Sequence, residues 1–346
     1  MTRKTNLWSI LILLMILLGW NTSAFCSQSY YYRNYQSKDG LSHNMVLCSL
    51  QDSDGFIWLG TNNGLNRFDG RENVSFFNLK TQQPYLDSNV IHCLAEDSSN
   101  RIWVGTNRGL YTYQKGVGML PFDKTTKYLV SISSEVHEIL MVDDKTVWIA
   151  TLGQGIFIYH LDTQELEQLN QHTTFISDLL YDGTYVYVAS MPSGIICFKP
   201  DGTYQKSIQL FENGKQGFDQ VPNSMLQFRD GIWIALNSAS LIRMDKNKQI
   251  HYYNFPNAKF KIIHSLLVLD DDTILLGTDF GLFTFNSLTE QISSLDIYDE
   301  LGKRVVHNIN GLMRDREGGI WVLTKMSGVD YIVPQIKPFQ YVDLPG

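Results

Sequence analysis

The sequence predicts an all-β protein, a seven-bladed β-propeller of four-stranded antiparallel blades. Three observations predict it. A sequence motif recurs every 39 to 46 residues; the chain has 26 Gly, 18 Tyr and 18 Phe beside only 9 Pro; and apolar segments of strand length alternate with turn residues. Many short strands and tight turns suit this composition. A four-strand unit of this length, repeated radially, is a propeller blade.

The repeat is clearest in its first two copies. Asp52–Thr61 and Asp97–Thr106 share an acidic turn residue, an Ile-Trp pair and a Gly-Thr pair, and they lie 45 residues apart. Later copies are shorter but keep their order along the chain. The central position is Trp or an apolar equivalent at Trp58, Trp103, Trp148, Tyr187, Trp233, Leu275 and Trp321. Seven copies at near-constant spacing favour a ring over a flat sandwich.

The second unit shows how each copy divides into four strands, here named A to D. The predicted elements are strand A at Val90–Glu96, a turn at Asp97–Asn100, strand B at Arg101–Thr106, a turn at Asn107–Gly109, strand C at Leu110–Gln114 and strand D at Met119–Phe122. Turn residues stand between the apolar runs, as they do in antiparallel meanders.

The motif residues have structural roles. The strand B Trp is expected to fill the gap between neighbouring blades, and the small residue two positions later to let the next backbone come close. Asp52, Asp97 and Asp315 are expected to accept hydrogen bonds from turn amides. The glycines that follow strand B suit a turn with positive φ, at Gly64, Gly109, Gly155, Gly194, Gly281 and Gly328.

The five Trp residues outside the N-terminal segment all occupy motif positions. No Trp is left to stack against a sugar, so Tyr or Phe would have to do so. Closure of the ring removes its exposed edges. We predict that Tyr30–Tyr35 supplies the outer strand of the last blade, with Phe339–Asp343 as the alternative. The propeller is assigned to residues 28–340, and residues 341–346 resemble the start of a further repeat.

The N-terminal segment, residues 1–27, predicts a signal peptide. Arg3 and Lys4 precede an apolar run from Leu7 to Trp20, and small and polar residues follow. The run is shorter than the ~20 residues that span a bilayer, so cleavage near Ala24 is favoured over retention as a membrane anchor. We therefore expect a periplasmic protein that contacts the membrane only if this segment is kept. Three further cysteines, without a C-x-x-C, predict neither a disulfide framework nor a zinc knuckle.

The charge balance excludes one class of partner. Lys and Arg number 28 against 35 Asp and Glu, the net charge is -7, and no basic cluster occurs. A nucleic-acid binder needs a positive surface, so neither DNA nor RNA is expected. The sequence predicts no cofactor.

In an up-and-down meander the D-to-A and B-to-C connections of all blades share one face and surround the mouth of the central channel. A ligand site is expected there. The predicted ligand-binding residues are His43, Asn44, Asn63, Asn89, Arg108, Gln154, Phe280, His307 and Lys325. Amides with one or two cations suit hydroxyl-rich or acidic sugars. The alternative for each Asn is a simple turn role.

Histidines also gather near the starts of strand A, at His43, His92, His137, His264 and His307. A metal ring or a pH-sensing cluster is one interpretation. Their offsets from the strand start vary and no carboxylate recurs beside them, so we predict solvated polar residues and no metal. The paired carboxylates, such as Asp52 with Asp54, fall at A-to-B turns on the opposite face. No catalytic residues are predicted.

The segments Asp39–Asn44 and Asp52–Leu65, with their copies at Leu86–Tyr113 and Asp315–Asp330, resemble the two-component regulator propeller repeat. This resemblance implies the exported sensor region of a hybrid two-component histidine kinase, which detects glycan-derived oligosaccharides and regulates polysaccharide utilisation. It also implies a kinase, a receiver and a helix-turn-helix domain that are not recognisable here. We therefore expect a non-enzymatic sensor. Two alternatives are a scaffold that binds a second propeller or sensor protein, and a propeller lyase or hydrolase.

Overall fold

The computed structural model describes residues 30–70, 73–76, 86, 88–169, 175–191, 193–210 and 220–334. The predicted signal segment, the tail at 341–346 and the alternative closing strand Phe339–Asp343 lie outside these residues. Within the described ranges no helix has the length and apolar character needed to cross a membrane.

The strands form seven four-stranded antiparallel sheets, which confirms the predicted fold class. β1 (Tyr30–Tyr35) and a short 3-10 helix (Ser37–Asp39) come first. Blade 1 contains β2 (Val46–Gln51), β3 (Ile57–Thr61), β4 (Gly64–Phe68) and β5 (Asn73–Phe76). Blade 2 contains β6 (Ile91–Glu96), β7 (Ile102–Thr106), β8 (Gly109–Gln114) and β9 (Gly118–Pro121). Blade 3 contains β10 (Val136–Met141), β11 (Thr146–Thr151), β12 (Gly155–His160) and β13 (Leu166–Gln168).

The remaining blades follow the same order. Blade 4 contains β14 (Phe175–Tyr181), β15 (Val186–Met191), β16 (Gly194–Phe198) and β17 (Tyr204–Ile208). Blade 5 contains β18 (Pro222–Phe228), β19 (Gly231–Leu236), β20 (Ser240–Asp245) and β21 (Ile250–Asn254). Blade 6 contains β22 (Ile263–Val268), β23 (Thr273–Thr278), β24 (Gly281–Asn286) and β25 (Ile292–Leu295). A two-stranded hairpin, β26 (Ile297–Tyr298) with β27 (Arg304–Val305), leads to blade 7, which contains β28 (Ile309–Arg314), β29 (Ile320–Thr324) and β30 (Val329–Pro334).

The N-terminal strand closes the ring, as predicted. β1 pairs antiparallel with β30, from Tyr30 opposite Pro334 to Tyr35 opposite Val329, and so becomes the outer strand of blade 7. The first and last blades are thereby joined by a complete ladder of backbone hydrogen bonds, which leaves blade 7 no unpaired outer edge on β30.

The core lies between the blades. Seven hydrophobic clusters occur in the described residues, one at each interface of neighbouring blades. Each contains one motif residue of strand B. Trp58, for example, packs with Ile91 and Tyr111 of blade 2. The five motif Trp side chains are all buried, which confirms their predicted wedge role and leaves none at the surface for a ligand.

The acidic turn residues bind more than turn amides. One carboxylate oxygen of Asp52 accepts the Phe56 amide, as predicted, and the other accepts the indole N–H of Trp58 at 2.7 Å. Asp97 and Asp315 accept the indoles of Trp103 and Trp321 in the same way. The carboxylate therefore fixes both the turn and the ring that fills the blade interface, and it satisfies the buried indole N–H of each of these three Trp residues.

The glycines after strand B have positive φ, as predicted, at Gly64, Gly109, Gly155, Gly194, Gly281 and Gly328. The glycine inside strand B leaves room for strand A of the same blade and of the next blade. A Cβ at Gly60 would overlap Cys48 Sγ and lie 2.7 Å from Ile91 Cγ2. At Gly105 a Cβ would lie 3.0 Å from the backbone oxygen of Val136, so the predicted close approach of the next backbone occurs there beside side-chain contacts.

Candidate functional site

Strand A of every blade lines the central channel and carries a bulge at the same place. The pairing of strands A and B skips one residue near the start of strand A in all seven blades, after the first strand residue in six of them and after the second in blade 4. The skipped residues are Leu47, His92, His137, Ser177, Asn223, His264 and Asn310. All seven line a channel cavity of about 510 Å³. A bulge re-aims a side chain and is common near functional sites.

The bulge lies close to one face of the ring, here called the upper face, which carries the D-to-A and B-to-C connections. The two kinds of connection meet there through a recurring backbone hydrogen bond. In blade 1, for example, the Asn62 amide donates to the Met45 carbonyl, and in blade 3 the Leu152 amide donates to the Glu135 carbonyl. The predicted arrangement of these loops around the channel mouth is therefore present.

Two bulge residues join neighbouring blades. The side-chain amide of Asn223 donates to the Ile263 carbonyl of blade 6, and that of Asn310 donates to the Val46 carbonyl of blade 1. The three bulge histidines have other surroundings, which differ between the two sides of the channel.

On the side of blades 2 and 3, His92 and His137 flank Glu135, which directly precedes β10. Glu135 Oε1 lies 3.6 Å from His92 Nε2 and 3.6 Å from His137 Nδ1. The imidazole rings are 6.0 Å apart between centroids. Burial lowers the pKa of His92, so its neutral form is favoured near pH 7.

Beside this group lie two further carboxyl groups of the channel wall. Glu138 and Asp178 occupy the position after the bulge in blades 3 and 4. Burial, followed by the negative charge of Asp178, raises the pKa of Glu138, and burial raises the pKa of Asp178. Asp178 also accepts the backbone amides of Leu179 and Met225. This side of the channel therefore combines imidazoles with several acidic groups.

Across the channel, His264 of blade 6 faces a cation. Lys325, in the B-to-C turn of blade 7, has its Nζ 3.2 Å from His264 Nε2. Burial and the Lys325 charge lower the pKa of His264 to about 4. The neutral ring can accept a hydrogen bond from the ammonium group. Asp279 lies near both groups and binds the amides of Lys261 and Ile262 through Oδ1.

None of the nine sequence-predicted ligand residues is among the described residues that line the channel cavity. Asn63 and Asn89 form a hydrogen bond with each other on the upper face, at 2.9 Å. Arg108 is exposed in the B-to-C turn of blade 2, and Phe280 is 38% exposed in that of blade 6. Lys325 does not line the cavity, but its Nζ lies 3.2 Å from Nε2 of His264, which does.

The other predicted residues bind the protein itself. His43 accepts the Met45 amide, and Asn44 accepts the Ser37 amide and hydroxyl. Gln154 accepts the amides of Ser133 and Ser134 and donates to the Ser131 carbonyl. His307 is bonded to Asp330 at 2.7 Å, in the interface of blades 6 and 7. These bonds position the loops around the mouth, and the ligand role of all nine residues stays a prediction.

Sequence reasoning missed the bulge positions, although a signal was present. Measured from the strand B motif residue, three histidines share one offset: His92, His137 and His264 each lie eleven residues before Trp103, Trp148 and Leu275 respectively. Their offsets vary only when measured from the estimated strand start. Glu135 stood two residues before His137, but its approach to His92 depends on the packing of blade 2 against blade 3.

A second cavity, of about 310 Å³, lies between blades 1 and 2 near their A-to-B turns. Its lining includes Asp52 and Asp54, which the sequence assigned to the face opposite the predicted site. Asp52 holds Trp58, and Asp54 pairs with Lys115 at 2.9 Å. Turn and packing contacts thus account for both carboxylates.

Comparison with known proteins supports the resemblance seen in the sequence. Residues 40–63 and 85–108 match the family described as two component regulator propeller. No curated protein sequence matches the chain.

Solved structures share the fold. The extracellular domain of a hybrid two-component system from B. thetaiotaomicron superposes with a TM-score of 0.74 at 19% identity, over 88% of this chain and 42% of that one. A second such domain from B. thetaiotaomicron gives 0.70 at 22% identity, over 90% and 40%. A streptogramin B lyase gives 0.68 at 14% identity, over 88% and 98%.

The chain thus spans about two fifths of the length of the two extracellular domains, and at these identities the likeness concerns the fold. The resemblance drawn from the sequence is confirmed in its two clearest repeats. The chain is a seven-bladed propeller whose residues 40–63 and 85–108 match the family described as two component regulator propeller.

Proposed function

We propose that this chain is an exported, non-catalytic ligand-binding propeller that serves as part of a sensor, and that it binds a glycan-derived oligosaccharide at the mouth of the channel on the upper face. The signal produced by ligand binding would regulate polysaccharide utilisation and would pass through other parts of a two-component system. The similarity to extracellular domains of B. thetaiotaomicron two-component systems supports export and a sensor role.

The observation that carries the proposal is the lining of the channel. Bulge residues of six blades present imidazole, hydroxyl or amide groups to one cavity of about 510 Å³, which is the size of a site for a small ligand. Many fixed hydrogen-bonding groups suit a ligand rich in hydroxyl groups. Lys325 beside His264 adds a cation at the mouth, which suits a sugar carboxylate.

Aromatic side chains for sugar stacking lie at the edge of the same face. Phe280 is 38% exposed in the B-to-C turn of blade 6, and Phe175 is 36% exposed at the start of strand A in blade 4. Because the motif Trp side chains are buried, these two rings are proposed for the stacking role assigned above to Tyr or Phe.

The test is a thermal-shift screen of the purified chain against neutral and acidic oligosaccharides, followed by calorimetry on each hit. We expect Phe280→Ala to weaken the binding of a hit about tenfold, since an aromatic contact contributes about 0.5–1.5 kcal/mol beyond its buried area. Tyr204→Ala, an exposed aromatic at the first residue of strand D in blade 4 and so away from the upper-face loops, serves as the control and should bind like wild type.

Three results would contradict the proposal. Turnover of any glycan by the pure chain would exclude the non-catalytic role. Equal losses in Phe280→Ala and Tyr204→Ala would remove the site from the upper face. Absence of any saccharide response, together with stable co-purification of a sensor protein, would favour the scaffold alternative.

A further inference from the structure

The cluster of His92, Glu135 and His137 has the composition and spacing of a metal site. We propose that these three side chains bind a divalent transition metal ion, with zinc as the best match, at the channel mouth between blades 2 and 3. This inference stands on the geometry of the cluster and does not depend on the identity of any sugar ligand.

The distances within the cluster fit a shared ion better than direct hydrogen bonds. The three ligand atoms all lie within 4.8 Å of one another, and the two imidazole nitrogens are each 3.6 Å from Glu135 Oε1. A hydrogen bond between nitrogen and oxygen would be about 2.7–3.2 Å long. Ligand atoms on a tetrahedral zinc ion, at 2.0–2.2 Å from the metal, lie about 3.3 Å from one another. Small side-chain rotations would therefore complete the site.

The nitrogen of His92 that faces Glu135 lacks another partner. His92 Nε2 is buried and makes no hydrogen bond among the described residues. Buried polar atoms in folded proteins are nearly always paired with protein, water or an ion.

The ligand set selects the class of ion. Two imidazoles and one carboxylate suit zinc and related transition metals, whereas Ca²⁺ and Mg²⁺ prefer oxygen ligands. Three protein ligands leave a fourth position, and because His92 and His137 both line the channel, that position is open to solvent or a small ligand there.

The fold supplies a matched control on the other side of the channel. His264 occupies the same bulge position in blade 6, but its ring faces the ammonium group of Lys325. A cation beside the imidazole repels a metal ion, so this site should bind none. Substitution of His264 therefore removes an equivalent channel histidine without touching the proposed ligands.

The experiment uses the purified chain after treatment with a chelator. Co²⁺ is titrated and its visible d–d absorption recorded, and Zn²⁺ is then added as a competitor and also measured by calorimetry. We expect one ion per chain and a Co²⁺ spectrum of low coordination number that Zn²⁺ abolishes. In His92→Ala and His137→Ala the affinity should fall by at least about 100-fold, the upper end of what loss of an outer-shell partner costs. His264→Ala should retain the wild-type stoichiometry and spectrum.

Glu135→Gln keeps the size of the side chain, so it tests the proposed metal site even if His92→Ala or His137→Ala unfolds. It should weaken Zn²⁺ binding while leaving the melting temperature of the metal-free protein within a few degrees of wild type. Binding of less than one ion per chain would overturn the proposal. So would equal losses in His264→Ala and His137→Ala, or unchanged affinity in Glu135→Gln and the folded histidine variants.

Discussion

Two sides of the channel mouth use the same backbone position for opposite chemistry. His137 in blade 3 and His264 in blade 6 both occupy the bulge of strand A. His137 lies 3.6 Å from the carboxylate of Glu135, whereas His264 lies 3.2 Å from the ammonium group of Lys325. The repeated blade fixes where the imidazole stands, and a single loop residue beside it decides what the imidazole can bind.

The difference gives the channel mouth two poles. The side of blades 2 and 3 presents the Glu135 carboxylate between two imidazole rings and suits a cation. The side of blades 6 and 7 presents a cation with an imidazole that stays neutral at physiological pH, and it suits an anionic or hydroxyl group. A polar ligand that spans the channel would contact the Glu135 side with one end and the Lys325 side with the other. These opposite charges would favour one orientation of the ligand.

The largest expected loss of stability comes from replacing the strand B glycine that both sides share. Gly105 and Gly277 of strand B lie opposite Cys93 and Ser265, the residues directly after His92 and His264. A Cβ at Gly105 would overlap Cys93 Sγ and lie 2.9 Å from Val136 Cγ1, and one at Gly277 would overlap Ser265 Oγ. Because both sites are closely packed, each Gly→Ala variant should lose about 3 kcal/mol of unfolding free energy, measured by urea denaturation.

Gly311 of blade 7 offers a control within the same ring. A Cβ there would meet Leu323 Cδ1 at 3.0 Å, the end of a flexible side chain. Gly311→Ala should therefore cost less than about 1 kcal/mol. A Gly105→Ala protein as stable as Gly311→Ala would show that the two sides do not depend on this close approach.

The sequence predicts the features on which both sides rest. Repetition of the Trp and Gly positions predicts seven blades, the closing strand Tyr30–Tyr35 and the positions of the turn glycines, because these depend on contacts within one repeat or between adjacent repeats. The hydrogen bond from the Trp58 indole to Asp52 could also have been predicted, because the two residues are six positions apart.

The site was harder to predict because its contacts join residues of different repeats. Loop residues such as His43 and Gln154 looked available for a ligand, but they bind nearby backbone, which a list of residue types does not reveal. His92 meets Glu135 only because blade 2 packs against blade 3. The pairing of His264 with Lys325 likewise requires two blades to be adjacent in space.

A smaller loss of stability should come from replacing the side chains that bind the loops preceding His137 and His264. Gln154 binds three backbone groups of Ser131, Ser133 and Ser134, next to Glu135. Gln154→Ala leaves these groups to water, and it should lower the unfolding free energy by about 1–2 kcal/mol. It should also weaken Zn²⁺ binding at the blade 2 and 3 side, measured by the same Co²⁺ titration.

Asp279 has the corresponding role on the other side, where its Oδ1 accepts the amides of Lys261 and Ile262. Asp279→Asn keeps an oxygen acceptor and should change the unfolding free energy by less than about 0.5 kcal/mol, whereas Asp279→Ala should lose about 1 kcal/mol. Neither variant should alter Zn²⁺ binding. A loss of Zn²⁺ affinity in Asp279→Ala equal to that in Gln154→Ala would mean that the two sides are not independent.

The smallest expected effect concerns the proton on His264. Its pKa in the folded chain is about 4, below the ordinary value of about 6.5, so the unfolded chain binds the proton first as the pH falls. The folded state should therefore lose stability relative to His264→Gln between about pH 6.5 and pH 4 and lose no more below pH 4. After allowance for solvent at this half-buried ring, the loss is about 1–2 kcal/mol.

Titration of a variant also separates the effect of the Lys325 charge on the pKa of His264 from the effect of burial. In Lys325→Met the cation is removed while burial remains, so an NMR titration of the His264 ring should give a pKa above the wild-type value and still below 6.5. Asp279, the other charged group near this ring, favours the protonated form, and Asp279→Asn should shift the pKa in the opposite direction. If the His264 pKa did not change in Lys325→Met, burial alone would account for its value, and the contrast between the two sides would rest on Glu135 only.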